Sequence, residues 1–161
     1  MTIQIFTTGG TIDKCYSTEQ GDFVVGPPVL MEAFREANVC ADHAVESLLQ
    51  KDSVDITTSD RALIRDAICR CQSSRIILTH GTDTMVMTAK ALAGVADKTI
   101  VLTGSMQPTA FKVTDAMFNL GYALVAVQHL PAGVYIAIHG SIFDPNRVRK
   151  NEQKDRFEII E

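Results

Sequence analysis

Arg75-Ile76-Ile77-Leu78-Thr79-His80-Gly81-Thr82-Asp83-Thr84 decides the fold. A nearly continuous apolar run, Ile76 to Leu78, passes straight into a small, hydroxyl-rich turn. A strand apolar on both sides belongs inside a parallel sheet covered by helices on both faces. The pattern occurs twice more. Ile3 to Thr7 runs into Thr8-Gly9-Gly10-Thr11-Ile12, and Thr99 to Thr103 runs into Gly104-Ser105-Met106. A fourth strand is predicted from Val134 to Ile138.

Helical spacing fills the intervals. Pro28 suits the first turn of a helix to about Ala37. Leu63, Ile64, Ala67, Ile68 and Cys71 recur at helical spacing behind Ser59, a candidate cap. Further helices are predicted from about Thr84 to Val95 and over Ala116 to Val127. His43 to Leu49 and Phe23-Val24-Val25 read as short strands, and Asp13 to Asp22 as a mobile loop. Alternating strands and helices imply a three-layer α/β/α domain with a mostly parallel, Rossmann-like sheet. The chain has 161 residues, which suits a single domain.

Composition excludes several function classes. A net charge of −4 argues against a nucleic-acid partner. The basic cluster Arg147, Arg149, Lys150 and Lys154 is interrupted by Glu152 and Asp155 and reads as a solvated face. No apolar run approaches the ~20 residues that span a bilayer. Met1 to Phe6 reads as a strand and not as a signal peptide, which points to the cytoplasm. Cys15, Cys40, Cys69 and Cys71 read as buried free thiols. On a helix Cys69 and Cys71 project about 200° apart and cannot chelate one ion together. No zinc spacing is present, and Met85, Met87, Met106 and Met117 read as core filler.

In a parallel sheet the three turns emerge together at the carboxyl edge, where open α/β folds bind ligands. Thr11 and Thr82 would then face one another across a crevice rimmed by backbone N–H groups. Thr82-Asp83-Thr84 is equally compatible with an ordinary helix cap. The first turn lacks G-x-G-x-x-G, and no G-K-[ST] occurs, which weighs against a nucleotide. His80 and His139, each at a strand end, read as hydrogen-bonded structural residues.

Thr8-Gly9-Gly10-Thr11-Ile12 and His80-Gly81-Thr82-Asp83-Thr84-Met85 resemble the two signature motifs of the bacterial-type asparaginases and glutaminases. The resemblance continues through Thr103-Gly104-Ser105-Met106-Gln107-Pro108, Phe118-Asn119-Leu120 and Val148-Arg149-Lys150-Asn151. It spans nearly the whole chain, but only the amino-terminal half of a family member, so the smaller carboxy-terminal domain is expected to be absent. The resemblance implies Thr11 as primary nucleophile, Thr82, Asp83 and Lys150 as a second triad, and Ser53 as ligand of the substrate carboxylate. Gly10, Asp52, Gly81 and Ser105 complete the expected substrate-binding set.

The implied reaction is hydrolysis of a small amide such as L-asparagine to acid and ammonia. A threonine hydroxyl needs a neighbouring base, and Lys150 could serve Thr82 if burial favours its neutral amine. Backbone N–H groups near Gly10 and Gly81 are candidate oxyanion donors. No metal or organic cofactor is required.

Three positions depart from the family. Phe23 stands where the family loop supplies a tyrosine. A phenyl ring cannot relay a proton, so Tyr16 would have to substitute. Val54 replaces a substrate-gripping glutamine, and Gln107 a common arginine. A small-ligand binding or regulatory module of the same fold is therefore the alternative. A homodimer or larger assembly is expected, a neighbouring subunit closing the crevice.

Overall fold

Ile76 and Leu78 pack on one side of the central sheet and Ile77 on the other, all three fully buried. That division follows from the two-residue period of a strand and sets the three layers. The computed structural model describes residues 1–160. Its elements are β1 (Ile3–Gly9), β2 (Lys14–Ser17), β3 (Asp22–Val25), α1 (Leu30–Glu36), β4 (His43–Lys51), α2 (Thr58–Arg70), β5 (Arg75–Thr79), α3 (Met85–Ala91), β6 (Thr99–Thr103), α4 (Ala116–His129), β7 (Gly133–Ile138), β8 (Ser141–Phe143), β9 (Val148–Asn151) and β10 (Arg156–Ile159).

The main sheet has the order β4-β1-β5-β6-β7-β8. Its first five strands are parallel, and β8 returns antiparallel to β7. Thr7 lies beside Thr79, and Thr79 beside Thr103, so the turns after β1, β5 and β6 leave the sheet side by side. One core joins Phe6, Ile76, Leu78, Ile100 and Leu102 to Ile64 and Ile68 of α2 and Met85 of α3. The other joins Ile3, Ile5, Ile77 and Val101 to Leu30 and Phe34 of α1 and Leu120 and Val127 of α4. No helix of the described residues is long and apolar enough to cross a membrane.

Several local expectations change. The segment predicted as a mobile loop is a 3-10 turn, Thr11–Asp13, followed by a hairpin of β2 and β3. The second helix is capped by Thr57 rather than Ser59. Thr57 accepts from the Asp60 N–H while the Asp60 carboxylate accepts from the Thr57 N–H, a reciprocal capping box. The helix after Thr84 ends at Ala91, short of Val95.

The four cysteines are free but not buried: Cys40 and Cys69 are exposed, Cys15 and Cys71 half-buried. Only Met85 of the four methionines is core. Met87 and Met117 point outward from their helices, and Met106 is half-buried beside Thr82.

Candidate active site

The site grows from two glycine contacts. Gly10 has φ +87°, a conformation that favours glycine. A Cβ there would lie 2.5 Å from the Gly81 Cα, so the backbones of the first two turns touch. A Cβ on Gly81 would in turn meet Ser53 Cβ at 2.6 Å. Thr11 and Thr82 each follow one of these glycines, which places both hydroxyl-bearing residues beside the same backbone junction.

Around Thr82 the second motif and the carboxy-terminal hairpin converge. Lys150, on β9, donates from Nζ to Thr82 Oγ1 at 2.9 Å and forms a short ion pair with Asp83. Thr82 is buried, Lys150 nearly so, and Asp83 half-exposed. The Thr82 hydroxyl lies 3.6 Å from Met106 Sδ, a weak acceptor.

Asp52 and Ser53 lie at the end of β4, where Lys51 pairs with Gly9. Ser53 is fully buried, and its Oγ has no hydrogen-bond partner among the described residues. Thr84 holds the Ser53 carbonyl at 2.7 Å. Asp52 pairs with Lys14 of β2 at 2.7 Å. Partial burial works against the Asp52 charge, but Lys14 and the Val54 and Ser53 N–H groups outweigh it and hold the carboxyl below its usual range. Ser105 is buried, but its hydroxyl is used within its own turn, donating to the Gln107 carbonyl at 2.6 Å.

The hairpin carrying Tyr16 and Phe23 stands beside this site. Tyr16 meets Phe23 edge-on at 5.6 Å between centroids, and Phe23 meets Phe111 at 5.2 Å. No side-chain hydrogen bond joins Tyr16 to Thr11 among the described residues. Lys14, Thr84 and Met106 were not singled out for the site from sequence. Thr84, inside the second motif, and Met106, inside the third turn, carried a signal that could have marked them; Lys14 carried none. His139 sits at φ +53° with Nε2 3.2 Å from Asp115 Oδ2, a contact within the frame of the neighbouring turn. Among the described residues no three histidine, cysteine or acidic side chains are grouped to hold a metal.

A mostly parallel α/β sheet with hydroxyl, lysine and carboxylate groups gathered at the carboxyl ends of its strands defines the class of protein. The family model described as Asparaginase, N-terminal, matches residues 2–159, and the chain belongs to this family. It is 31% identical over 157 residues to an L-asparaginase of Thermococcus kodakarensis, covering 93% of this chain and 48% of that protein. It is 31% identical to a glutaminase-asparaginase of Acinetobacter glutaminasificans, covering 92% and 49%. One component of a glutamyl-tRNA(Gln) amidotransferase of Methanococcus vannielii is 28% identical, with 88% and 35% covered.

The solved thermostable L-asparaginase from Thermococcus kodakarensis superposes with a TM-score of 0.83 at 28% identity, covering 99% of this chain and 51% of that one. L-asparaginase I from Vibrio cholerae gives the same TM-score and identity, with 98% and 51% covered. The chain thus spans about half the length of the relatives first matched.

Proposed function

We propose that the protein is an asparaginase-like amidohydrolase that cleaves a small amide, L-asparagine or a close relative, through Thr11. The observation that carries this reading is the Lys150–Thr82–Asp83 cluster. Residues 68 positions apart in sequence are joined by a 2.9 Å hydrogen bond beside the Thr11 turn. Thr11 Oγ attacks the side-chain amide carbon, the C–N bond breaks, and ammonia leaves with the proton that the cluster delivers. Water then cleaves the acyl ester, releasing the acid and restoring the threonine. Lys150 is placed to exchange a proton with Thr82, while the exposed part of Asp83 is free to accept from a substrate ammonium. The unpaired Ser53 Oγ is a donor for the substrate carboxylate, with Asp52 fixing its loop through Lys14.

The chemistry requires no cofactor. The setting is cytoplasmic, the partners are the small amide and further copies of the chain, and neither nucleic acid nor membrane enters. A homodimer or larger assembly closes the crevice. Residues 2–159, which the family model matches, act as one amino-terminal-type domain.

One observation favours a second reading, a binding or regulatory module for an amino-acid-like ligand. Phe23 offers no hydroxyl, and Tyr16 packs edge-on against it instead of bonding to Thr11. Ammonia release from asparagine, glutamine and related amides separates the two. Release by the wild type, lost in both Thr11→Ala and Thr82→Ala, supports the enzyme. Calorimetric binding of the same amides without release establishes the binding module.

A further inference from the structure

His80 is fully buried inside the second motif, and the reaction written above does not use it. Its Nδ1 lies 2.7 Å from the Gly81 carbonyl oxygen, and its Nε2 lies 2.8 Å from Thr88 Oγ1. Burial pushes the imidazole down to about 4, the bond to Gly81 works the other way, and the Arg61 charge adds to the lowering. The ring is therefore neutral near pH 7. A carbonyl can only accept, so Nδ1 carries the proton and Nε2 is left as an acceptor. Thr88 must then donate its hydroxyl to Nε2. Its oxygen accepts from Arg61 Nε at 3.1 Å, and Arg61 is anchored by Nη1 to the Ile56 carbonyl at 2.9 Å. The chain runs in one direction, from Arg61 through Thr88 and His80 to Gly81.

That direction bears on the peptide joining Gly81 to Thr82. A glycine has wide backbone freedom, and Ser53 packs too closely on Gly81 for any Cβ to limit it. No peptide of the described residues is cis, so the Gly81 carbonyl and the Thr82 N–H point opposite ways. Pinning the carbonyl to His80 turns the Thr82 N–H away from the ring. Among the described residues no backbone or side-chain acceptor takes that N–H, although Thr82 is only 4% exposed. Buried N–H groups are almost always paired, so this donor is poised for an incoming oxygen.

We propose that His80 is a positioning residue: through the chain Arg61–Thr88–His80–Gly81 it holds the Gly81–Thr82 peptide so that the Thr82 N–H meets the oxygen of the amide under attack. The role rests on the amidohydrolase reading. Such donors work because they are fixed before charge develops, and a peptide free to rotate loses that advantage.

His80→Phe keeps the ring volume and removes the donor, whereas His80→Asn places an amide N–H near the Nδ1 position. The Phe variant should lose roughly 10²-fold in kcat with KM little changed, and the Asn variant should recover most of that loss. Equal loss in both folded variants, or a change in KM alone, would overturn the role. Should the Phe variant fail to fold, nitrogen-15 shifts of the wild-type His80 ring between about pH 6 and 8 show which nitrogen carries the proton. Protonated Nδ1 is expected. Protonated Nε2 reverses the chain and sinks this role alone, whatever the amidase assay gives. Absence of turnover by the wild type sinks the amidohydrolase reading, and this role with it.

Discussion

Gly10 and Gly81 touch backbone to backbone: a Cβ on Gly10 would stand 2.5 Å from both the Cα and the N of Gly81. The first two turns of the site are therefore locked together with no room for a side chain. Gly10→Ala should destabilise the fold by at least the ~1–3 kcal/mol of a residue held in a disfavoured backbone region. Displacement of the Gly81 turn adds to that cost. Urea denaturation measures it, and an unchanged midpoint would mean that the two turns are not in contact.

Thr82 and Lys150 should fail together. If they act as one proton-transfer unit, Thr82→Val and Lys150→Met each lower turnover by about 10²-fold or more, and the double variant is hardly worse than either. Stability should change little, because Asp83, the partner left behind by Lys150→Met, is 46% exposed and can be solvated. Ammonia release and thermal melting are measured on the same preparations. Losses that multiply in the double variant would show that the two residues act independently.

Asp13 sets a different dependence, on pH. It is 2% exposed, its Oδ1 accepts only the Val29 N–H at 3.1 Å, and its Oδ2 has no partner among the described residues. Burial raises its carboxyl from 3.8 to about 6, with the Val29 bond opposing. Well below pH 4 both folded and unfolded forms are protonated, and Asp13 carries no electrostatic cost. Between pH 4 and 6 the unfolded form ionises first, so the cost accumulates, and it is complete above the folded value. A shift of this size corresponds to at most about 3 kcal/mol. Asp13→Asn keeps an acceptor for Val29 and should raise the melting temperature at pH 8 with little gain at pH 4. An equal gain at both pH values would show that ionisation is not the cause.

Legibility from sequence followed burial. β1, β5, β6 and β7 read as strands because each is apolar on both faces, and the structure buries both. Of the hairpin outside the main sheet, β3 reads as a strand from Phe23-Val24-Val25, whereas β2, with Tyr16 in solvent and Lys14, Cys15 and Ser17 half-buried, has no apolar face to betray it. β9 and β10 offer only Val148 and Phe157 to the core, too few for a period. The Thr57 cap was legible in principle, since Asp60 follows it by three residues. Thr11 and Thr82 could be placed by position after a strand. Lys150 came forward only through family resemblance, because nothing local says that a hairpin 68 residues away folds back on Thr82. The Lys14–Asp52 pair joins two loop-like segments whose contact is wholly tertiary.

The last expectation concerns assembly, and it rests on α4. This 14-residue helix contains no Asp, Glu, Lys or Arg. Its inner face packs on the sheet through Leu120, Ala123 and Val127. Its outer face carries Met117, Phe118 and Val125 into solvent, with Phe118 62% exposed and stacked on Tyr122 at 3° between ring planes. Gly121, between the two aromatics, has open space where a side chain would stand. Phe111 and Val113 before the helix, and Ile142 on β8, add further exposed apolar surface. The first three turns of this helix are apolar on the outer face as well as the inner, and monomers rarely leave such a patch in water. A two-fold pairing of α4 with its copy meets no charge conflict, and the aromatic ridge of one helix has the Gly121 gap of the other to enter. Light scattering should therefore give a dimer or larger at micromolar concentration. Phe118→Glu, which places a charge on the patch and touches nothing in the candidate site, should shift the mass toward the monomer. A wild-type monomer at high concentration, or a Phe118→Glu protein of unchanged mass, would refute pairing through this face.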